Sequence, residues 1–348
     1  MPKRLHIDDL ERARLRFAIG VFLSMALALS IAWPLAVVTP IFVGIFLTKG
    51  NPFFGLKGGG VLLITVALAC FSGSLIAHYL IHLPFIALSI ISLSMFLIYY
   101  YSAGEGNPFV SLMGLIGVAA LPIIAQQSSD ASDVFGVALF FGFGLSIAIC
   151  TIMHGVLPDT PPSIETRSKK NTSVKPPPNS EEQLKSALMS TAIVFPAVAF
   201  FFINELAGGA LIMLLILIQA QNPALKAGVN GSVGLFLANL LGGGMAVAYY
   251  TLLKMVPDYM FMLLSTGTTI LFLTSIIFSQ KSYAPLFGSA LTTFLLLTWL
   301  STTAEGDGSD VRFFSRMVQI TIACLYVVCA SDLMNWLFKK SRARPFIP

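Results

Sequence analysis

Long blocks of uncharged apolar residues, separated by short polar breaks, constrain the fold of this chain more than any other feature of its sequence. Blocks of this length suit a hydrocarbon core about 30 Å thick. Only 11% of the 348 residues are charged and 56% are hydrophobic, with a mean hydropathy of +0.84, whereas about a quarter of the residues in a soluble domain are charged. The sequence therefore predicts an all-α polytopic membrane protein and excludes a soluble fold.

Turn signals divide the apolar sequence into twelve predicted transmembrane segments. These are Phe17 to Trp33, Leu35 to Thr48, Gly59 to Leu80, Pro84 to Tyr101, Val110 to Ala125, Val134 to Leu157, Ser186 to Ile203, Ala207 to Ala220, Gly228 to Leu253, Tyr259 to Phe278, Pro285 to Leu300 and Met317 to Phe338. The second and eighth are shorter than the roughly 20 residues that a span needs. Each of them either spans or forms a shallow hairpin with its predecessor.

Charged and proline-rich stretches define the rest of the predicted domain organisation. A basic N-terminal segment (1–16) precedes a first six-helix half (17–157), a flexible linker (158–184), a second six-helix half (185–338) and a basic tail (339–348). Of the 21 Lys and Arg residues, all but Lys254, Arg312 and Arg316 fall on the side of the two termini and the linker. The positive-inside rule assigns that side to the cytoplasm.

The two halves resemble each other when the second is set 171 positions after the first. Asn51-Pro52 then aligns with Asn222-Pro223, Gly60 with Gly231, Gly73 with Gly244 and Ala77 with Ala248. Six segments return the chain to its starting side, so we expect two parallel repeats that face each other across a cleft.

Asp332 is the strongest candidate for a functional residue, because it lies within the apolar last segment. An acidic group at such a position costs about 2.5 to 3.5 kcal/mol on insertion scales. One interpretation is a protonation site for proton-coupled transport. The alternative is a carboxylate that hydrogen-bonds a neighbouring helix or reaches the cytoplasmic interface near Lys339 and Lys340.

Asn239 is a second polar residue within an apolar segment, and it either joins helices or lines a substrate pathway. The two Asn-Pro pairs begin predicted helices, and Lys57 and Lys226 follow them. Asn51 and Asn222 are good N-caps, but helix N-termini with a nearby lysine would also attract a substrate carboxylate.

Three arginines, Arg12, Arg14 and Arg16, precede the first segment and predict a basic cytoplasmic mouth that contacts lipid phosphates and concentrates organic anions.

Several classes of function are not expected. The four cysteines lie in apolar blocks without disulfide or zinc spacing, and His78, His82 and His154 have no metal-ligand spacing. The chain has no Walker A motif and no nucleophile elbow. We therefore expect no enzyme activity, cofactor, metal or nucleic-acid partner. The Gly-rich helices would permit a homo-oligomer without requiring one.

The opening stretch RARLRFAIGVFLSMALALSIAWPLAVVTPIFVGIFLTKGNP, together with the later EGDGSDVRFFSR, resembles the fusaric acid resistance and aromatic acid exporter superfamily of bacterial inner-membrane proteins. The resemblance implies export of small aromatic carboxylic acids or related toxic compounds. It also implies a proton motive force as the energy source and a periplasmic adaptor of the membrane-fusion type as partner. The cytoplasmic domain of larger members is reduced here to the linker (158–184).

Two other functions stay open at this point. A secondary transporter of the major-facilitator type also has six plus six helices, but its usual Gly-Asp-Arg loop is replaced here by TKGNPFFGLKGGG. A non-transporting scaffold of an envelope complex is the other alternative. Asp332 and Asn239 argue against it, because a scaffold has little reason to keep costly buried polar groups.

Overall fold

The computed structural model describes residues 9–31, 35–48, 55–104, 106–126, 128–158, 179–204, 210–221, 229–281, 283–284, 286–303 and 309–342. Within these ranges the protein is all-helical and has no strand. The described residues form twelve helices, one for each predicted segment.

The helices are α1 (Asp9–Ile31), α2 (Val38–Leu47), α3 (Gly55–Tyr79), α4 (Pro84–Ala103), α5 (Pro108–Ala125), α6 (Ser129–Val156), α7 (Ser180–Ile203), α8 (Ala210–Ala220), α9 (Val229–Met255), α10 (Tyr259–Ile277), α11 (Leu286–Thr303) and α12 (Ser309–Arg342). In α5, residues Ile116–Ala120 form a π-helical turn. It ends two residues before Pro122, which has no N–H to donate and whose ring would clash with the carbonyl group four residues earlier in a regular α-helix.

Several helices extend beyond the predicted membrane segments. Helix α1 begins at Asp9, α7 at Ser180 inside the predicted linker, and α12 runs from Ser309 to Arg342. Glu181 and Glu182 lie in the first turn of α7, where acidic side chains interact favourably with the helix dipole. Hydropathy marks only the apolar part of each helix, so it misses these polar extensions.

Eight of the described helices are long and apolar enough to cross a membrane: α1, α3, α4, α5, α6, α7, α9 and α10. Helices α2 and α8 have 10 and 11 residues, which corresponds to about 15 to 17 Å, or roughly half of the hydrocarbon core. The short α2 is held by aromatic packing. Its Phe42 and Phe46 contact Phe109 of α5 and Phe143 of α6, with ring centroids 5.3 to 6.0 Å apart.

Contacts near the helix ends give the direction of the first helices. Arg16, near the start of α1, donates a hydrogen bond to the carbonyl oxygen of Leu157, just after the end of α6. His78, near the end of α3, lies 3.5 Å from Asp133, near the start of α6. Both α1 and α3 are thus antiparallel to α6 and parallel to each other. The chain must therefore return between them through α2, although α2 alone is too short to span.

Contacts near the helix ends also give the direction of the later helices. Ser30 near the end of α1 hydrogen-bonds Tyr259 at the start of α10 at 2.5 Å, and Thr266 of α10 donates to Tyr249 near the end of α9. Helix α9 therefore runs parallel to α1 and α3. Asp332, toward the end of α12, contacts the start of α9. The starts of α1 and α9 and the ends of α6 and α12 therefore lie at the same end of the bundle. We call this the linker end, and the other the distal end.

The helices pack within each set of six and also across the two sets. Helix α3 packs on α5 and α6, and α9 packs on α11 and α12. Helix α4 packs on α7, while α10 packs on α1. Helices α5 and α11 occupy the interior. The first six and the last six helices are therefore joined directly by helix–helix contacts.

Close contact between α3 and α5 depends on small residues. A Cβ atom on Gly117 would lie 2.1 Å from the carbonyl oxygen of Ala69, and one on Gly73 would lie 2.1 Å from that of Gly117. The two backbones are therefore in direct contact, which is the usual role of glycine between membrane helices.

Candidate functional site

Asn239, halfway along α9, is the centre of a buried polar cluster that joins α9 to α11. Its Oδ1 accepts hydrogen bonds from the hydroxyls of Ser289 at 2.9 Å and Thr293 at 2.7 Å, and its Nδ2 donates to the carbonyl oxygen of Leu235 at 2.9 Å. Asn239, Ser289 and Thr293 are all at least nine-tenths buried. Interhelical hydrogen bonds of this kind contribute about 0.6 kcal/mol each in membrane proteins.

A glycine one turn away allows this contact. A Cβ atom on Gly242 would lie 2.3 Å from the carbonyl oxygen of Ala290, so a larger residue would force α9 and α11 apart. Asn239 precedes Gly242 by three residues and therefore lies near the same face of α9. The close crossing brings its short amide within reach of the hydroxyls on α11.

A small cavity of about 10 Å³ lies beside the cluster, between α9, α11 and α12. Asn239, Thr293, Thr321 and Cys324 are among its lining residues. Its volume is close to the minimum of about 10 to 15 Å³ for one water molecule. The cluster therefore has room for a water molecule but not for an organic ligand.

Asp332 forms a second polar contact, between α12 and α9. Its Oδ1 accepts a hydrogen bond of 2.9 Å from the hydroxyl of Ser232, which is fully buried. Ser232 is the fourth residue of α9, so the carboxylate lies beside the N-terminal turn of that helix, whose positive dipole end favours a negative charge. The neighbouring Ser331 is 2% exposed, and its hydroxyl has no hydrogen-bond partner among the described residues.

The two polar contacts lie on one side of α9. Ser232 and Asn239 are seven residues apart, which is two helical turns or about 10 Å along the axis. Asp332 and Asn239 therefore do not touch, but both lie where α9 meets its neighbours α11 and α12. Both contacts join helices of the second half.

The three arginines of the predicted basic mouth differ in their exposure. Arg14 is exposed and Arg12 is partly buried, whereas Arg16 is only 5% exposed and donates to Leu157 at 3.1 Å. A cation at this position stabilises the C-terminal end of α6. Arg16 thus has a structural contact rather than a place on an open surface.

Of the remaining predicted site residues, Lys57 is exposed in the first turn of α3. Asn51, Asn222 and Lys226 lie outside the described residues. The substrate-binding role predicted for the two Asn-Pro pairs therefore stays a prediction.

Sequence reasoning missed the hydroxyl partners of the two candidate residues. Ser289 and Thr293 are four residues apart and therefore share one face of α11, a signal that could have identified them. Ser232 carries no comparable signal, since it lies 100 positions from Asp332.

A further missed contact lies at the distal end. The Nε2 of His78 is 3.5 Å from Asp133, which also accepts a hydrogen bond of 3.1 Å from Ser74. In the part of the chain that the structure describes, no three His, Cys, Asp or Glu residues are grouped so that they could hold a metal ion.

Comparison with known proteins adds one finding. Residues 13–153 match a family model described as a protein of unknown function, DUF2955, and this range runs from α1 into the last turn of α6. No curated protein and no solved structure matches the chain.

Proposed function

We propose that the protein is an efflux permease of the bacterial inner membrane that exports small aromatic carboxylic acids or related toxic compounds, driven by the proton motive force. The observation that carries the proposal is Asp332, an acidic residue on an apolar helix that contacts a buried hydroxyl of another helix. Intramembrane carboxyl groups are typical of proton relays in transporters. The substrate class comes from the resemblance of the opening stretch to aromatic acid exporters.

We further propose that helices α1 to α6 and α7 to α12 form two parallel repeats. When both helix numbers are raised by six, every contact between two helices of the first set corresponds to a contact between two helices of the second set. The contacts between the two sets correspond in the same way, since α4 packs on α7 and α10 packs on α1. The close crossing of Ala69 with Gly117 also recurs 173 positions later as Gly242 with Ala290, two positions beyond the offset of 171 in the sequence alignment. The parallel course of α3 and α9 supports the same arrangement.

The repeat supports a role for Asn239 beyond helix packing. At the same offset of 173 positions, Asn239, Ser289 and Thr293 correspond to Val66, Ile116 and Ala120, which are all fully buried and apolar. Apolar side chains thus suffice to pack this crossing in the first repeat. The polar cluster is confined to the second repeat, as expected for a group that serves transport.

We place the linker end in the cytoplasm. The described basic residues Arg12, Arg14, Arg16 and Lys57 lie there, as does exposed Lys281, whose pKa is raised by its hydrogen bond with Tyr283. The distal end carries Asp130 and Asp133, and also Lys254 in the last turn of α9. This distribution agrees with the positive-inside rule, and a periplasmic adaptor would contact the distal end.

A deletion strain, compared with the same strain carrying the wild-type gene, tests the proposal. We expect selective sensitivity to aromatic acids and their accumulation in the deletion strain, both reversed by the wild-type gene. Purified protein in proteoliposomes should move a radiolabelled aromatic acid only when a pH gradient is imposed. Unchanged sensitivity across a panel of acids, together with an envelope defect, would favour the scaffold instead.

A further inference from the structure

A groove of about 430 Å³ runs between α3 and α4, and α5 forms its floor. Thr65, Leu68 and Ser72 line it from α3, and Leu97 lines it from α4. Leu68 is 63% exposed and Leu97 is 55% exposed, and both lie on helices apolar enough to span a membrane. In a bilayer the groove therefore opens sideways toward the lipid chains.

The groove has the size and lining of a site for an apolar molecule. Its volume falls within the range of about 300 to 1,000 Å³ that is usual for small-molecule sites. The hydroxyls of Thr65 and Ser72 donate to backbone carbonyls of their own helix, those of Val61 at 3.0 Å and Ala69 at 2.9 Å. Because these groups are satisfied locally, the groove does not require a polar occupant.

Lys57 adds a positive charge near the linker end of the groove. It precedes Leu68 by eleven residues, or three helical turns, so both side chains lie on one line along α3, about 16 Å apart. Lys57 is exposed, and it lies in the first turn of α3, where the helix dipole adds to its positive field. Among the described residues that line the groove there is no Asp or Glu.

We infer that the groove between α3 and α4 is a lateral entry site for an amphiphilic carboxylate from the cytoplasmic leaflet. The apolar body of the molecule lies between the two helices, and its carboxylate lies near Lys57. The distance from Lys57 to the groove favours an elongated acid over a compact one. This inference rests on the proposed function for the export of an organic acid and for the placement of the linker end in the cytoplasm, and it differs in favouring an elongated acid over a small aromatic one.

Fluorescence titration of the purified full-length protein with dansylamino-undecanoic acid tests the site, with the methyl ester of the same probe as an uncharged control. Thr65→Trp fills the groove and should weaken binding of the acid about tenfold or more. Ile64→Trp, one residue earlier on the same helix and 62% exposed outside the groove, should bind as the wild type does.

Lys57→Gln should weaken binding of the acid about fivefold, the size of a solvent-screened charge contact, and leave binding of the ester unchanged. Equal effects on acid and ester would overturn the role of Lys57. Wild-type affinity in Thr65→Trp would overturn the site itself, and so would equal losses in both tryptophan variants.

The binding assay uses no proton gradient, so it separates this inference from the proposed function. Binding that is lost in Thr65→Trp supports the entry site even if cells export no aromatic acid. Full export by Thr65→Trp cells would contradict the entry site alone. A phospholipid that co-purifies with the wild type but not with Thr65→Trp, and that the acid fails to displace, would identify a lipid site and overturn the proposal.

Discussion

The hydroxyl of Ser232 on α9 donates a hydrogen bond of 2.9 Å to the carboxylate of Asp332 on α12. This contact joins two residues that are 100 positions apart in sequence, at the first turn of α9. It combines a fully buried donor with a partly buried acid, so it is a polar packing contact between the two helices.

We expect Asp332→Asn to lower export about tenfold or more while the protein is expressed normally, because an amide cannot take up and release a proton. Ser232→Ala keeps the carboxyl group and removes one hydrogen bond to it. It should lower stability by about 0.6 kcal/mol, at most about 1.7 kcal/mol, and retain export. Proton-driven uptake into proteoliposomes and thermal unfolding measure the two effects. Full export by Asp332→Asn would remove its coupling role.

Asn239→Leu should destabilise the protein by about 1 to 3 kcal/mol, because it leaves the hydroxyls of Ser289 and Thr293 without their acceptor. Replacing all three residues together, as Asn239→Leu with Ser289→Ala and Thr293→Val, should restore much of this stability, since no polar group then loses its partner. Unfolding midpoints in one detergent would measure both variants. If the triple variant regains stability but still fails to export, the cluster serves transport rather than packing.

Two glycines of α9 should respond differently to alanine. A Cβ atom on Gly242 would lie 2.3 Å from the backbone of Ala290, whereas one on Gly244 meets nothing within 4 Å. Gly242→Ala should therefore cost about 1 to 3 kcal/mol. Gly244→Ala should be neutral or stabilise by up to about 1 kcal/mol through helix propensity. Similar losses in both variants would argue against close contact between α9 and α11.

Cysteine labelling of intact cells tests the orientation. In a background where Cys70, Cys150, Cys324 and Cys329 are replaced, Asp130→Cys at the distal end should react with a membrane-impermeant maleimide added outside. Lys57→Cys at the linker end should react only after the cells are permeabilised. Labelling in the reverse order would contradict a cytoplasmic linker end.

The number and positions of the helices follow closely from the sequence. Each predicted segment corresponds to a helix, because bilayer thickness imposes a minimum length of apolar sequence and Pro, Gly and charged residues mark the breaks. Asp332 and Asn239 could also be identified early, since polar residues are rare and costly within such segments. These features depend on short stretches of the chain.

The partners of those residues depend on helix packing that the sequence does not specify. Membrane helices are apolar toward both lipid and protein, so no polar stripe shows which face of α9 meets α11 or α12. The sequence by itself determined twelve apolar helices and the unusual positions of Asp332 and Asn239. Only the tertiary structure paired them with Ser232, Ser289 and Thr293 and buried Arg16 against the end of α6, because such contacts join residues that are distant in sequence.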